Sequence, residues 1–237
     1  MEMEYTIETL ANGTPVCVSK THRFGTDSLL LAWFAQPWRQ HKAVDLGSGC
    51  GIVALRWHDM GHRGECLAVE LQPEGTALLT KSIEMGNITH ITPKNEDMRN
   101  LPSAGTYQMV ACNPPYFTGG FVSPKPGRGT ARHQQTCTTK DVTAVASRLL
   151  TDGGKFCLCQ RPEQLAEVIC AARAVRLEPK RLQWVKVRPD SVPWLFLLEC
   201  QKNRRPGMVL ERDIIVQAED GSHSAQILEI YGREQQP

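Results

Sequence analysis

The sequence predicts a doubly wound α/β fold, a mostly parallel sheet of seven strands with an antiparallel strand at one edge. Three observations carry this. From residue 43 onward, short apolar runs of strand length alternate with stretches of helix length, the pattern of parallel strands joined by crossover helices. The first run leads through Gly47-Ser48-Gly49-Cys50-Gly51 into a helix, a glycine-rich strand-to-helix turn of the kind that binds ligands. The last two runs are separated only by Arg188-Pro189-Asp190-Ser191-Val192-Pro193, too short for a crossover helix, so they pair antiparallel.

Taken in order, residues 5–19 alternate loosely around Asn12-Gly13, a two-residue hairpin signal. Phe24-Gly25-Thr26-Asp27-Ser28 then precedes the apolar run Leu29 to Ala35. This predicts a helix with Asp27 or Ser28 as N-cap and Pro37 as its stop. Residues 1–36 are thus an extension of hairpin and helix, too short to stand alone, packed on one domain spanning 37–237. Within that domain Ala43–Leu46 is a strand and 51–59 a helix, followed by a strand over 65–71. Pro73 opens a helix reaching Met85, because a first-turn residue needs no N–H. Strands follow over 91–96 and 107–112. A helix over 141–150 stops at Asp152-Gly153-Gly154. The remaining elements are a strand over 155–160, a helix over 163–175, and strands over 181–187 and 194–200.

Composition narrows the function classes. Hydrophobic residues make up 41% and charged residues 22% of the 237, an ordinary soluble balance, and a net charge of +2 argues for no partner by itself. No apolar run approaches the roughly 20 residues a membrane helix needs. The N-terminus lacks the basic and apolar regions of a leader peptide. The nine cysteines contain no Cys-x-x-Cys pair and lie mostly inside apolar runs, so they read as small core residues in a reducing cytoplasm. The seven histidines are scattered, and no metal site is expected. Nothing in the sequence fixes an oligomer, and a monomer or weak dimer is expected.

Two loops carry the chemistry. In the first, glycines let the backbone turn tightly and approach a ligand closely. Ile52 stands where a dinucleotide fingerprint needs a third glycine, and no Lys-Ser or Lys-Thr pair makes a phosphate loop. Asp45 beside it would repel a phosphate and suits a cofactor bearing an ammonium and a sulfonium. Glu70, 23 residues beyond Gly47 at a strand end, is placed to accept from ribose hydroxyls. Asp97 could accept from an adenine amine or could simply cap a turn. The second loop is Asn113-Pro114-Pro115-Tyr116-Phe117, where two prolines remove two donors and push Asn113 out of the helical region onto a stiff turn. In the usual doubly wound order the first and fourth strands are neighbours, so the two loops face each other across one crevice.

These residues resemble S-adenosylmethionine-dependent methyltransferases that modify a planar exocyclic amine. The segments Asp45 to Gly51, Glu70, Asp97 and Asn113-Pro114-Pro115-Tyr116 carry the likeness. Gly25-Thr26-Asp27-Ser28 with the following leucines, Ala131-Arg132, and the tail around Asp220 to Ser224 extend it to bacterial tRNA adenine-N6 methyltransferases acting beside the valine anticodon. The resemblance implies a Rossmann-like class I methyltransferase fold with S-adenosyl-L-methionine as cofactor. It implies cofactor contacts from Thr26, Asp27, Asp45, Gly47, Ser48, Gly49, Glu70, Asp97 and Asn113, with Asn113, Pro114, Pro115 and Tyr116 at the reaction centre. The chemistry fits. A conjugated NH₂ is a poor nucleophile, and acceptors at Asn113 Oδ1 and the Pro114 carbonyl favour its sp³-like, developing cationic form. Tyr116 could stack on the target base. Lys125, Arg128 and Arg132, in a segment (121–140) with four basic residues and no acidic one, are expected to contact RNA phosphates. A second basic stretch, 171–190, is as well explained by a solvated face. The acceptor stays open between adenine N6 in tRNA, guanine N2 and a protein glutamine. A non-catalytic binding module is the reading from another class.

Overall fold

A computed structural model describes residues 4–114 and 137–232. Ten elements lead up to the second loop and beyond it: β1 (Thr6–Thr9), β2 (Pro15–Val18), α1 (Thr26–Phe34), β3 (Ala43–Leu46), α2 (Ile52–Asp59), β4 (Cys66–Glu70), α3 (Pro73–Met85), β5 (Ile91–Asn95), β6 (Tyr107–Cys112) and α4 (Thr139–Leu149). The rest are β7 (Leu150–Gln160), α5 (Leu165–Ala174), β8 (Leu177–Lys186), β9 (Leu195–Lys202), β10 (Val209–Leu210), β11 (Ile214–Ile215) and α6 (Ala225–Tyr231). Short 3₁₀ turns occupy Met98–Asn100 and Pro162–Gln164.

Among the described residues the main sheet has nine strands, in the order β10-β8-β9-β7-β6-β3-β4-β5 with β11 also on β8. The seven strands expected from sequence are all in it, and β10 and β11 are added parallel to β8. β9 is antiparallel to both β7 and β8, so the antiparallel strand lies just inside that margin of the sheet. Side chains alternate between two buried layers, as period-two strands covered on both faces require. On β7, Phe156 and Leu158 join the layer under α4 and α5, while Cys157 and Cys159 join the layer of α1, α2, α3 and α6. The nine cysteines are free thiols, seven of them buried.

The extension shares that second layer: Val16, Cys17 and Val18 pack in one cluster with Leu78 and Leu79. Its hairpin differs from the expected two-residue turn. Thr9 pairs with Pro15, leaving a five-residue loop, because Asn12 is turned onto α2, bonding Asp59 Oδ1 (3.1 Å) and the Asp59 carbonyl (2.8 Å). Helix α1 starts two to three residues earlier than expected. Gly25 is the N-cap and neither Asp27 nor Ser28 caps it; the Asp27 carboxylate instead accepts from the Ser28 N–H at 2.8 Å. Trp57 Nε1 donates to the Ala32 carbonyl at 3.0 Å, locking α1 to α2. The Asp152-Gly153-Gly154 stop is also corrected: β7 already begins at Leu150, which pairs with Tyr107, and the glycines form an irregularity inside the strand.

The second basic stretch is partly a solvated face, with Arg173, Arg176 and Arg188 exposed, and partly balanced by acidic partners. Arg173 pairs with Glu178, Arg181 with Glu199 and Lys186 with Asp213. No helix among the described residues is long and apolar enough to cross a membrane.

Candidate active site

Strand pairing builds the crevice. β3 lies between β4 and β6, with Leu46 opposite Val69 on one side and Cys112 on the other. Gly47 and Asn113 therefore leave the sheet side by side, at the carboxyl ends of neighbouring strands where the winding reverses. The described starts of the two loops are thus neighbours, as expected.

On the first wall the backbone does the work. Gly47, Gly49 and Gly51 all hold left-handed φ values, +68°, +56° and +84°. Two of them serve different ends. A Cβ on Gly51 would lie 2.3 Å from Leu79 Cδ1, so this glycine lets α2 and α3 close together. A Cβ on Gly49 would meet nothing within 4 Å, so open space lies beside the loop there. The Gly47 and Ser48 N–H groups are tied to the Val69 carbonyl (2.9 and 3.0 Å), and Gly49 N–H donates to Glu70 Oε2 at 2.8 Å. Glu70 Oε1 accepts from the Gln72 N–H at 2.8 Å, which fixes the carboxylate while leaving it further lone pairs. The Ser48 hydroxyl is buried without a hydrogen-bond partner among the described residues.

Asp45 is buried at 1% exposure, with the Ala54 N–H at 3.3 Å as its hydrogen-bond donor. Burial pushes its carboxyl up to about 7, and the neighbouring Glu70 charge pushes the same way. Such a site gains from a cation. Asp97 caps the 98–100 turn through the Arg99 N–H (2.9 Å) and pairs with the Arg99 guanidinium, which holds its carboxyl below the usual range. Of its two expected roles, the cap is the one seen. Met98 beside it packs over Gly47, its Cε 3.8 Å from where a Cβ there would sit.

The second wall works through side chains. Asn113 Nδ2 lies 2.9 Å from Ser28 Oγ and 3.3 Å from Asp27 Oδ2, and Cys159 Sγ lies 3.0 Å from Asn113 Oδ1. Thr26 is bound by the Tyr231 hydroxyl at 2.9 Å. Helix α1 is thereby brought against the turn after β6. The sequence names Thr26, Asp27 and Asn113 as candidates but gives no sign of Ser28, Cys159 or Tyr231 as their partners; Cys159 looks like any small residue in an apolar run. Pro115, Tyr116, Phe117, Lys125, Arg128 and Arg132 lie outside the described residues. No group of three or more possible metal ligands occurs among the described residues.

A family model described as Methyltransferase small domain matches residues 16–172, which hold both walls. The chain belongs to this methyltransferase family. Two relatives bear the name tRNA1(Val) (adenine(37)-N6)-methyltransferase. That of Parabacteroides distasonis is 26% identical over 182 residues, 75% of this chain and 76% of its own. That of Aeromonas hydrophila is 24% identical over 210 residues, 88% of each. Among solved structures, a predicted O-methyltransferase from Agrobacterium tumefaciens superposes with a TM-score of 0.71 at 20% identity, covering 87% of this chain and 96% of its own. M. jannaschii TYW2, solved in complex with AdoMet, gives 0.58 at 12% identity, covering 85% and 87%. The fold is that of Rossmann-like class I methyltransferases, and family membership agrees with the expected use of S-adenosyl-L-methionine.

Proposed function

We propose that the chain methylates the exocyclic N6 amine of an adenine in tRNA, with S-adenosyl-L-methionine as donor and the valine tRNA anticodon loop as the first substrate to test. The observation that supports this best is the meeting of an oriented carboxamide, Asn113, with a carboxylate-lined glycine loop at adjacent strand ends. The names of the relatives favour adenine over the other amines.

The first wall fits the cofactor. The Ser48 hydroxyl (unpartnered among the described residues), the open space beside Gly49 and the buried carboxylates of Asp45 and Glu70 suit a ligand with hydroxyls and positive charge. Asp45, Gly47, Ser48, Gly49 and Glu70 would hold it, with Thr26 and Asp97 at the margins. Bound there, the cofactor supplies a methyl group made electrophilic by a cationic sulfur. On the other wall, Asn113 Oδ1 and the Pro114 carbonyl accept the two N–H groups of the amine. Two acceptors stabilise the pyramidal, partly cationic nitrogen more than the planar one, which lowers the barrier. The nitrogen becomes acidic only as it is alkylated, so no strong base is needed. Tyr116 and Pro115 complete this turn, Tyr116 stacking on the base, and Lys125, Arg128 and Arg132 neutralise phosphates.

Incubation with labelled cofactor and total RNA, followed by nucleoside mass analysis, tests this. Label in N6-methyladenosine from tRNA is the expected result. Label in N2-methylguanosine or in protein glutamine overturns the acceptor, and no transfer to any acceptor overturns the activity.

A further inference from the structure

We infer that Asp27, Ser28 and Cys159 form a clamp that sets the direction of the Asn113 carboxamide, and that Asp27 selects asparagine over aspartate at position 113. The inference rests on the proposed amine methylation, since that reaction is what gives the direction its consequence.

The clamp closes from two elements far apart in sequence, the first turn of α1 and the end of β7. A primary amide has two N–H donors and one carbonyl acceptor. Both donors are matched, one by Ser28 Oγ at 2.9 Å and one by Asp27 Oδ2 at 3.3 Å. Oδ1 then points to Cys159, whose thiol, 3.0 Å away and fully buried, is held well above its ordinary pKa by desolvation and so remains an S–H donor. Turning the amide over would aim Oδ1 at a carboxylate, which can only accept, and leave the NH₂ against a weak acceptor. The partners themselves therefore fix the assignment of oxygen and nitrogen. A thiol is a weak donor, so it orients Oδ1 while drawing little of its basicity from the second lone pair, the one needed for an incoming N–H. Aspartate at 113 would place two carboxylates about 3.3 Å apart, and one would have to take up a proton.

The test compares Asn113→Asp, Asp27→Asn, the double variant, Cys159→Ala and Cys159→Ser with wild type. It measures cofactor Kd by calorimetry, kcat and KM on tRNA, Tm, and the ¹H–¹⁵N resonance of the Asn113 side-chain amide, identified by its loss in Asn113→Asp. We expect Cys159→Ala to lower kcat about five- to tenfold, the worth of one hydrogen bond, with KM and cofactor Kd unchanged, and Cys159→Ser to recover most of it. Asn113→Asp should lose at least about 100-fold in kcat, and Asp27→Asn in the same chain should return at least about tenfold of that by restoring a donor–acceptor pair. The amide resonance should shift in Asp27→Asn and in Cys159→Ala. A double variant no better than Asn113→Asp overturns the clamp. So does a Cys159→Ala enzyme at wild-type kcat, or an Asp27→Asn protein that fails to bind cofactor, which would make Asp27 a cofactor ligand. A wild type that methylates no RNA while the resonance shifts as expected overturns the substrate reading and leaves the clamp standing. A wild type that methylates tRNA with an unmoved resonance does the reverse.

Discussion

The two walls of the crevice solve the same problem by opposite means. The 47–51 loop presents backbone: its glycines set the path, its N–H groups are tied to Val69 and Glu70, and its side chains are few. At the turn after β6 the described side chain is that of Asn113, and its orientation is borrowed from α1 and β7. A wall built from backbone tolerates changes around it and fails when its own path is altered. A wall built from one borrowed side chain fails at that side chain first.

The largest effect should come from Asn113→Ala. Loss of the acceptor should reduce kcat about 10²- to 10³-fold with cofactor affinity unchanged, measured by single-turnover methylation and calorimetry. Equal losses in both quantities would mean that the walls do not divide their work. Next comes the first wall, where Gly51→Ala should destabilise the fold by about 3 kcal/mol in a denaturant titration. Its left-handed φ and the fully buried Leu79 in the way both oppose a methyl. Gly49→Ala, with the same kind of φ but open space, should cost about 1–2 kcal/mol in stability yet weaken cofactor binding more than Gly51→Ala does.

Asp45 sharpens the contrast through pH. Its carboxyl, 3.8 when unperturbed, stands at about 7 in the ligand-free fold. A carboxyl raised by folding favours the folded state fully below its unfolded value, and that contribution is lost as pH rises through the folded one. Between pH 4 and 8 this group therefore works against the stability of the ligand-free protein, and Asp45→Asn should remove that slope in Tm. Affinity for a cationic cofactor should run the other way, rising through pH 7 as Asp45 ionises, and Asp45→Asn should lower it about tenfold, or about 1.4 kcal/mol. The smallest effect is expected for Trp57→Phe. It leaves the Ala32 carbonyl without its donor and should cost about 1 kcal/mol in stability, with a modest fall in kcat as α1 loosens against the second wall.

How much was legible in the sequence follows the same division. Ala43–Leu46, Pro73–Met85 and Tyr107–Cys112 were read to the residue, because apolar runs bracketed by glycine, proline or asparagine carry their own limits. The glycine loop and Glu70 could be read because their spacing along the chain is the geometry. The setting of Asn113 could not: Ser28 and Cys159 stand 85 and 46 residues away and reach it only through the tertiary fold. The two-residue strands β10 and β11 have no period to detect and owe their form to the free edge of β8. At Gly153-Gly154, turn-forming residues suggested a stop where pairing with β6 imposes a strand with an irregularity.

The hydroxyl of Tyr231 reaches Thr26 across 205 residues of chain, and the Ile230 carbonyl accepts from Arg56 on α2 at 2.9 Å. This has a consequence for the order of synthesis. A ribosome that has extruded β3 through β7 has made both loops, but the helix that braces the first turn of α1 is still to come. The nascent chain can form its cofactor wall early and gains the brace behind its acceptor wall only when α6 docks. Competence to react should therefore appear late, as a step that lags behind the folding of the sheet.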